Sequence, residues 1–447
     1  MAFKCFQFSC GIATFSNNRY DGLFTHILQI AHAENAIWHA AVALGSLHQH
    51  EAVPSLQKSD AFSLVHYSRA LKLLNIKIAS GDSVSPITIL AACLLLATFE
   101  VLHRHFEQAS LHYFGGLNYL CDIAERRVPG LTALQAHETF PGFLDAFQRL
   151  EISSSVFDWR RSKFNYDALV TLPITLYPDL VIRDMRKATE TALHCLLSLR
   201  QLESASIATE YFSSSFEVER LRDAILTAIG YWDAAMCYLD LQLTTSEQVK
   251  RAQVLQIYVT HCKICALTIH PQLENEMRFD LCMPEFDKIA RLAADFFGTG
   301  QVEAHEEGFL RYPSFSVHIG VLHILWFVAI KCRDPRVRRH AIRLLRGCNH
   351  GDNDAWDGQK IARYAERVVV IEEDAHVSTA TDVVEGKRIV QAWFNHKRDD
   401  GILHCRKRVH GSSDKWLEWQ EVLNEDDGKA CMTAKFERRQ DVTDGKV

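Results

Sequence analysis

No stretch of this sequence is long and apolar enough to span a bilayer. The two most apolar runs, Ile87 to Leu102 and Gly320 to Ile330, fall short of the roughly 20 residues a transmembrane helix needs. Glu100 and Lys331 mark their ends, so both read as buried core helices. The N-terminus MAFKCFQFSCGIATF lacks the basic start, the continuous apolar stretch and the small-residue cleavage site of an export signal. A surplus of positive charge is missing too: 49 Lys and Arg against 55 Asp and Glu leave a formal charge of -6. Phosphate contacts need concentrated cations, so the chain as a whole is not a nucleic-acid-binding surface, and any DNA contact must be local. GxSxG, HExxH, GxxxxGK[ST] and GxGxxG do not occur, which weakens an enzyme reading without excluding it. The cysteines, 13 and therefore odd in number, do not suggest a disulfide framework. Cys93 in LAACLLLATFE and Cys237 in AAMCYL sit within apolar helical runs, as reduced thiols of a cytosolic or nuclear protein do.

Across 447 residues, 48% are hydrophobic and 23% charged, the balance of a chain able to bury a large core. Helical periodicity recurs from end to end, and long alternating strand patterns are almost absent until the C-terminal region. The fold class predicted is all-α, a multi-helix array of antiparallel helix pairs with a short irregular or β segment near the C-terminus. In 34–50 the spacing brings Ile37, Ala40, Ala41, Leu44 and Leu47 to one face, with small residues that admit a close neighbour. Ser85-Pro86 starts a helix reaching about His103, the hydroxyl capping free amides and proline tolerating the first helical position. A second helix, about 106–121, lines up Phe106, Ala109, Tyr113, Leu117 and Leu120 and forms a pair with the first. Gly115 and Gly116 within it call for close packing or a kink as compensation. Asp334-Pro335 opens another helix that Gly347 stops, and Ile361, Ala365, Val368 and Ile371 follow helical spacing over 356–373. Further helices are expected around 182–204, 218–240, 247–269 and 284–298, at least ten in all.

The segments 151–181 and 205–217 carry no sustained period and read as loops, neither of them a clean domain boundary. One helical domain is therefore expected over 1–396, with a C-terminal extension of it over 397–423 in which LHCRKRVHG reads as a short strand. Residues 424–447 are charged, contain one aromatic and little aliphatic content, and read as a disordered tail.

One block goes beyond periodicity. PSFSVHIGVLHILWFVAIKCRDPRVRRHAIRLLR, residues 313–346, joins an apolar helix, Lys-Cys-Arg-Asp-Pro and a basic amphipathic helix, and it resembles the regulatory domain of fungal-specific transcription factors. NAIWHAAVALGSLHQHE, ILAACLLLATFEVLHRHFEQASLHYFGGLNYL and DAWDGQKIARYAERVVVIEE are similar to the same family, in its usual order. The likeness runs from about Phe6 to about Trp419 and is thin across 150–250. The resemblance implies an all-helical regulatory body, a nuclear location, no enzyme activity, and partners in the transcription machinery or a homodimer partner, with no membrane. It also implies, upstream, a binuclear zinc cluster in which six cysteines hold two zinc ions. Here the sequence departs from the family: Cys5 and Cys10 stand in no CxxCxxxxxxC pattern and have no lysine-rich context, so no cluster fits and direct DNA binding is in doubt. The chain is then either a cluster-less relative or a truncated gene model missing an upstream exon, and zinc enters only in the second case.

Candidate chemistry is sparse, and no catalytic, cofactor-binding or metal residue is assigned. Cys262 and Cys265 have CxxC spacing but no second ligand pair, and at helix positions i and i+3 they line the buried side with Leu255 and Val259. His48, His50 and Glu51 point to different sides of a helix end. His103, His105 and His112 could be gathered by a turn, although clusters are expected by chance among 22 histidines. Lys331, Arg333, Arg336, Arg338, Arg339, Arg343 and Arg346 could hold phosphate. The plainer reading is an architectural, solvated face paired with acidic neighbours. Arg406-Lys407-Arg408 near Lys397-Arg398 has the composition of a nuclear-import signal, which short basic clusters also show by chance. Three functions follow: a transcriptional regulatory module acting through a partner helix, twin subunit or apolar ligand; an enzyme of a biosynthetic cluster; or a helical scaffold.

Overall fold

The computed structural model describes residues 2–7, 21–52, 60–80, 84–103, 105–124, 143, 146–147, 182–209, 215–269, 275–298, 321–347, 358–374, 376–394, 402–409, 415–423 and 430–439. Among these the fold is predominantly helical, with one small antiparallel sheet near the C-terminus. No described helix is long and apolar enough to cross a membrane. The described residues fall into two compact units, one formed by those up to 147 and the other by those from 182 onward.

The first unit contains α1 (Ala2–Cys5), α2 (Asp21–Ala33), α3 (Asn35–Ala52), α4 (Asp60–Ala79), α5 (Pro86–Leu102) and α6 (Phe106–Ala124). Its core gathers the face read from periodicity, with Ile37, Ala40, Ala41, Leu44 and Leu47 all buried, together with Leu90, Leu94, Leu95, Phe99, Leu117 and Leu120. Ser85 occupies the expected cap position, but its hydroxyl makes no capping bond; the start is set by Pro86 and by the Ser85 carbonyl accepting the Ile89 amide. The two glycines of α6 have different roles. A side-chain carbon at Gly116 would lie 2.3 Å from the Phe147 ring and 3.1 Å from Cys93, so this glycine is a point of close packing, whereas one at Gly115 would meet nothing. Gly45 on α3 admits the N-terminal helix in the same way, since a Cβ there would sit 2.2 Å from the Ala2 carbonyl oxygen.

The second unit holds α7 (Met185–Thr209), α8 (Ser215–Leu239), α9 (Ser246–Thr268), α10 (Met283–Phe297), α11 (Leu322–Lys331), α12 (Pro335–Gly347) and α13 (Gly358–Glu372). Trp232, fully buried, donates its indole N–H to the Ala188 carbonyl at 2.8 Å and pins α8 to α7. α11 is apolar all round and almost entirely buried, as its composition requires. α12 starts as its sequence indicates, with Asp334 Oδ1 accepting the amides of Arg336 and Val337 at 2.9 and 3.2 Å. Gly298, at φ 73°, closes α10 in the left-handed conformation that glycine adopts without strain. Three helices, α1, α2 and α4, are not delimited by periodicity.

The sheet is a meander in the order β1 (Gln391–Phe394), β2 (Ile402–Arg408), β3 (Lys415–Leu423) and β4 (Ala430–Arg439). Phe394 stacks on Tyr364 of α13 and meets Trp326 of α11 edge-on, with Leu403, Cys405 and Trp419 buried alongside. The tail expected to be disordered over 424–447 is therefore a strand across Ala430–Arg439, with Ala430 opposite Leu423 and Arg439 opposite Lys415. Low aliphatic content argued against a packed core there. It does not bar a strand, because pairing with the open edge of β3 uses main-chain groups that every residue carries.

The glycine geometry predicts opposite signs for two neighbouring substitutions. Gly116→Leu should destabilise the first unit by about 1–3 kcal/mol through overpacking, while Gly115→Ala, in open space, should stabilise by up to about 1 kcal/mol through helix propensity. Urea unfolding of the two variants checks this, and equal losses would contradict it.

Candidate functional site

Lys-Cys-Arg-Asp-Pro and the basic helix after it form a buried ionic cluster in the second unit. Glu276 begins a 3-10 turn, Glu276–Cys282, and is itself buried. Its carboxylate accepts the Lys331 ammonium at 2.9 and 3.0 Å and Arg333 Nη1 at 3.1 Å. Arg333, with no exposed surface, spans from there to Glu372: Nη2 donates to Glu372 Oε1 at 2.9 Å and to the Ile389 carbonyl at 3.0 Å. Arg338 Nη2 takes the other Glu372 oxygen, its Nη1 donates to Glu373 at 3.0 Å, and its Nε donates to the Ala329 carbonyl at 2.7 Å. Arg388 grips Asp280 with both terminal nitrogens at 2.8 Å and also donates to the main-chain carbonyls of Glu276, Ala380 and Val383. Lys331, Arg333, Arg338 and Arg388 are thus matched by Glu276, Glu372, Glu373 and Asp280, so the interior carries no net charge from this set.

Burial alone would raise the pKa of Glu372. Arg333, Arg338 and the Ile389 amide outweigh it, and the pKa falls to about 2. Desolvation works against the Lys331 ammonium and lowers its pKa, with Glu276 opposing that shift. A charge held this tightly is structural, because moving a proton here would break several charge-assisted hydrogen bonds at once.

The seven basic residues that could have cradled phosphate therefore separate into two groups. Lys331, Arg333 and Arg338 face inward and are consumed by carboxylates. Arg336 and Arg346 are exposed, beside Asp334 at 3.7 Å and Glu366 at 2.6 Å, and Arg339 shares Glu373 at 2.5 Å. Arg343 is exposed and has no acidic partner among the described residues. The architectural reading holds for the block, except that its key members are buried and not solvated. The partners Glu276, Glu372 and Arg388 were missed, since nothing local marks them.

The histidines fare differently. Tyr67 of α4 donates its hydroxyl to Glu100 Oε1, so the phenol oxygen is left to accept from His112 Nε2 of α6 at 3.0 Å. His105 Nδ1 lies 2.9 Å from Glu100 Oε2, and Glu100 is buried at the end of α5. Desolvation lowers the His112 pKa, which favours the neutral ring that this bond pattern uses, although Glu100 pulls the other way. The chain of bonds ties α4 to α5 and α6. His103 lies tilted against Phe99, stacks on His105 and does not join His105 and His112 around a common point. No group of three His, Cys, Asp or Glu side chains able to hold a metal ion is found among the described residues.

Cys262 is buried and donates weakly to the Cys195 carbonyl at 3.4 Å, while Cys265 approaches His261 at 3.6 Å, so the CxxC pair does not converge on one ligand. Val259 is buried with Cys262, and Leu255 is half-buried. Cys5 lies in α1, and Cys10 falls outside the described residues. His48, His50 and Glu51 lie in the last turns of α3, their side chains outside the described set. Arg406 and Arg408 stack on Trp416 at 4.1 and 5.2 Å, and Lys407 donates to the Gly386 carbonyl at 3.1 Å. These three are strand residues with partners and not a free extended signal; Lys397 and Arg398 are outside the described residues.

Compared with known proteins, residues 6–168 match the model of the fungal specific transcription factor domain. That match takes in the blocks of α3 and of α5 and α6. It does not reach 313–346, where the likeness read from the sequence was strongest. Searches of curated proteins and of solved structures found no match.

The ionic cluster carries a pH prediction. With its pKa lowered to about 2 in the folded chain, Glu372 stabilises the second unit at neutral pH, and that contribution is lost as pH falls from about 4.5 toward 2. Glu372→Gln should cost about 3–5 kcal/mol at pH 7 by leaving Arg333 and Arg338 under-paired, and should remove most of this acid-range slope. Urea titrations at several pH values test both statements, and a loss below about 1 kcal/mol would refute the cluster's structural weight.

Proposed function

We propose, from the match of residues 6–168 to the fungal specific transcription factor domain, that the chain is a nuclear regulatory module that controls gene expression by binding partners. The family match is the observation that supports the reading. A helical body of the kind described has a physical means of regulation that needs no bond chemistry. A partner that binds one arrangement of the helices better than another shifts the equilibrium by its difference in affinity. The inward-facing arginines are consistent with this and do not favour a phosphate-binding role for their block. Gene-cluster control, a homodimer partner and an apolar effector are finer versions of the same reading. Promoter contact is assigned to a zinc cluster encoded upstream or to a DNA-binding partner.

Fusing the full chain to a heterologous DNA-binding domain in a fungal reporter strain tests the proposal. The expected outcome is a change in reporter output of about five-fold or more, the lower end of a typical coupling energy, together with nuclear fluorescence of a tagged copy. An unchanged reporter with the protein held outside the nucleus would overturn it.

A further inference from the structure

α4 packs through one side, on which Leu71 and Leu74 lie partly buried against the core. Ser63, His66 and Ala70 are buried against the rest of the first unit, and Tyr67 stacks on Phe99. Around the remaining arc, Phe62, Leu64, Val65, Ile76 and Ile78 are each 40–55% exposed. A solitary exposed leucine needs no explanation, but five large apolar residues on one helix do.

Their arrangement is specific. Phe62, Val65, Arg69, Lys72 and Ile76 follow one another at spacings of three and four, so they form a single outward stripe: two apolar residues, two cations, one apolar residue. Arg69 and Lys72 have no acidic partner among the described residues. Beyond its first residue, Asp60, the helix contains no carboxylate, in a chain whose formal charge is -6. Its third cation, Lys77, is already taken by Glu34 at 2.7 Å.

We propose that this stripe is the docking site for an acidic amphipathic helix, one whose apolar residues meet Phe62, Val65 and Ile76 and whose central carboxylates meet Arg69 and Lys72. Charge complementarity selects the occupant, because cations flanked by exposed apolar side chains are completed by the inverse pattern. An anionic membrane fits less well. Lipid-binding helices keep cations at the margins of the apolar face, whereas here Arg69 and Lys72 interrupt it and would be pressed toward hydrocarbon. The proposal rests on the reading that the module acts by binding partners, and it names the chemistry of one of them.

The test uses the purified full chain and fluorescence polarisation. The probe is a labelled synthetic helix with leucines along one face and two glutamates at its centre; its counterparts are the same helix with lysines in place of those glutamates, a scrambled version, and vesicles of phosphatidylcholine with and without phosphatidylserine. The acidic helix should bind more tightly than the lysine version, less so at high salt. Arg69→Glu with Lys72→Glu should weaken it by about five-fold or more and reverse the preference between the two peptides. Ile76→Ser, which leaves the charges in place, should weaken both peptides. All three positions are exposed, and unchanged circular dichroism establishes that the variants fold. Equal binding of acidic and lysine peptides would overturn the proposal, as would charge-dependent binding to phosphatidylserine vesicles without peptide binding. No transcription is measured in these arms, so their failure beside an intact reporter response would remove this site alone.

Discussion

Two buried carboxylates, Glu276 and Glu372, hold the second unit together. Neither is tolerable alone, since a desolvated charge without partners costs several kcal/mol. Each is tolerable because basic residues from the end of α11, the loop after it and the start of α12 reach it: Lys331 and Arg333 for Glu276, Arg333 and Arg338 for Glu372. Arg333 belongs to both, and so couples the 3-10 turn to the end of α13. The same groups bond the main chain at Ile389 and Val390, where the chain leaves the helices for the sheet. Placement of β1, and with it the inner sheet face on α11 and α13, follows from this one constraint.

The arrangement also limits what the basic block can do. An arginine with every strong bond directed inward offers nothing to a phosphate, whatever its formal charge. In the first unit, Arg69 and Lys72 of α4 have no acidic partner among the described residues and stand among exposed apolar side chains. One part of the chain uses positive charge to organise its interior, and the other presents it on a surface beside apolar residues. The second use is the one suited to the partner recognition proposed above.

Much of the fold was legible because helical burial is periodic. Ile37, Ala40, Ala41, Leu44 and Leu47, or Ile361, Ala365 and Val368, announce an inner face by spacing alone, and all are buried. α4 did not announce itself, since its apolar residues occur all round and only one side is packed. The ionic cluster was half legible: the basic members stand together in sequence, but their carboxylates lie 57 and 39 residues from Arg333, and no local pattern records such pairing. The sheet was underestimated for a related reason. β4 is held to β3 by main-chain pairing, which composition does not encode.

Native-state hydrogen exchange resolved residue by residue tests the central claim most directly. If Glu276 and Glu372 fasten these elements into one cooperative body, the amides of 276–282, 333–338 and 388–390 should open together, with a shared free energy equal to that of global unfolding of the second unit. Independent, low-energy opening of 388–390 while the helices stay protected would contradict the account.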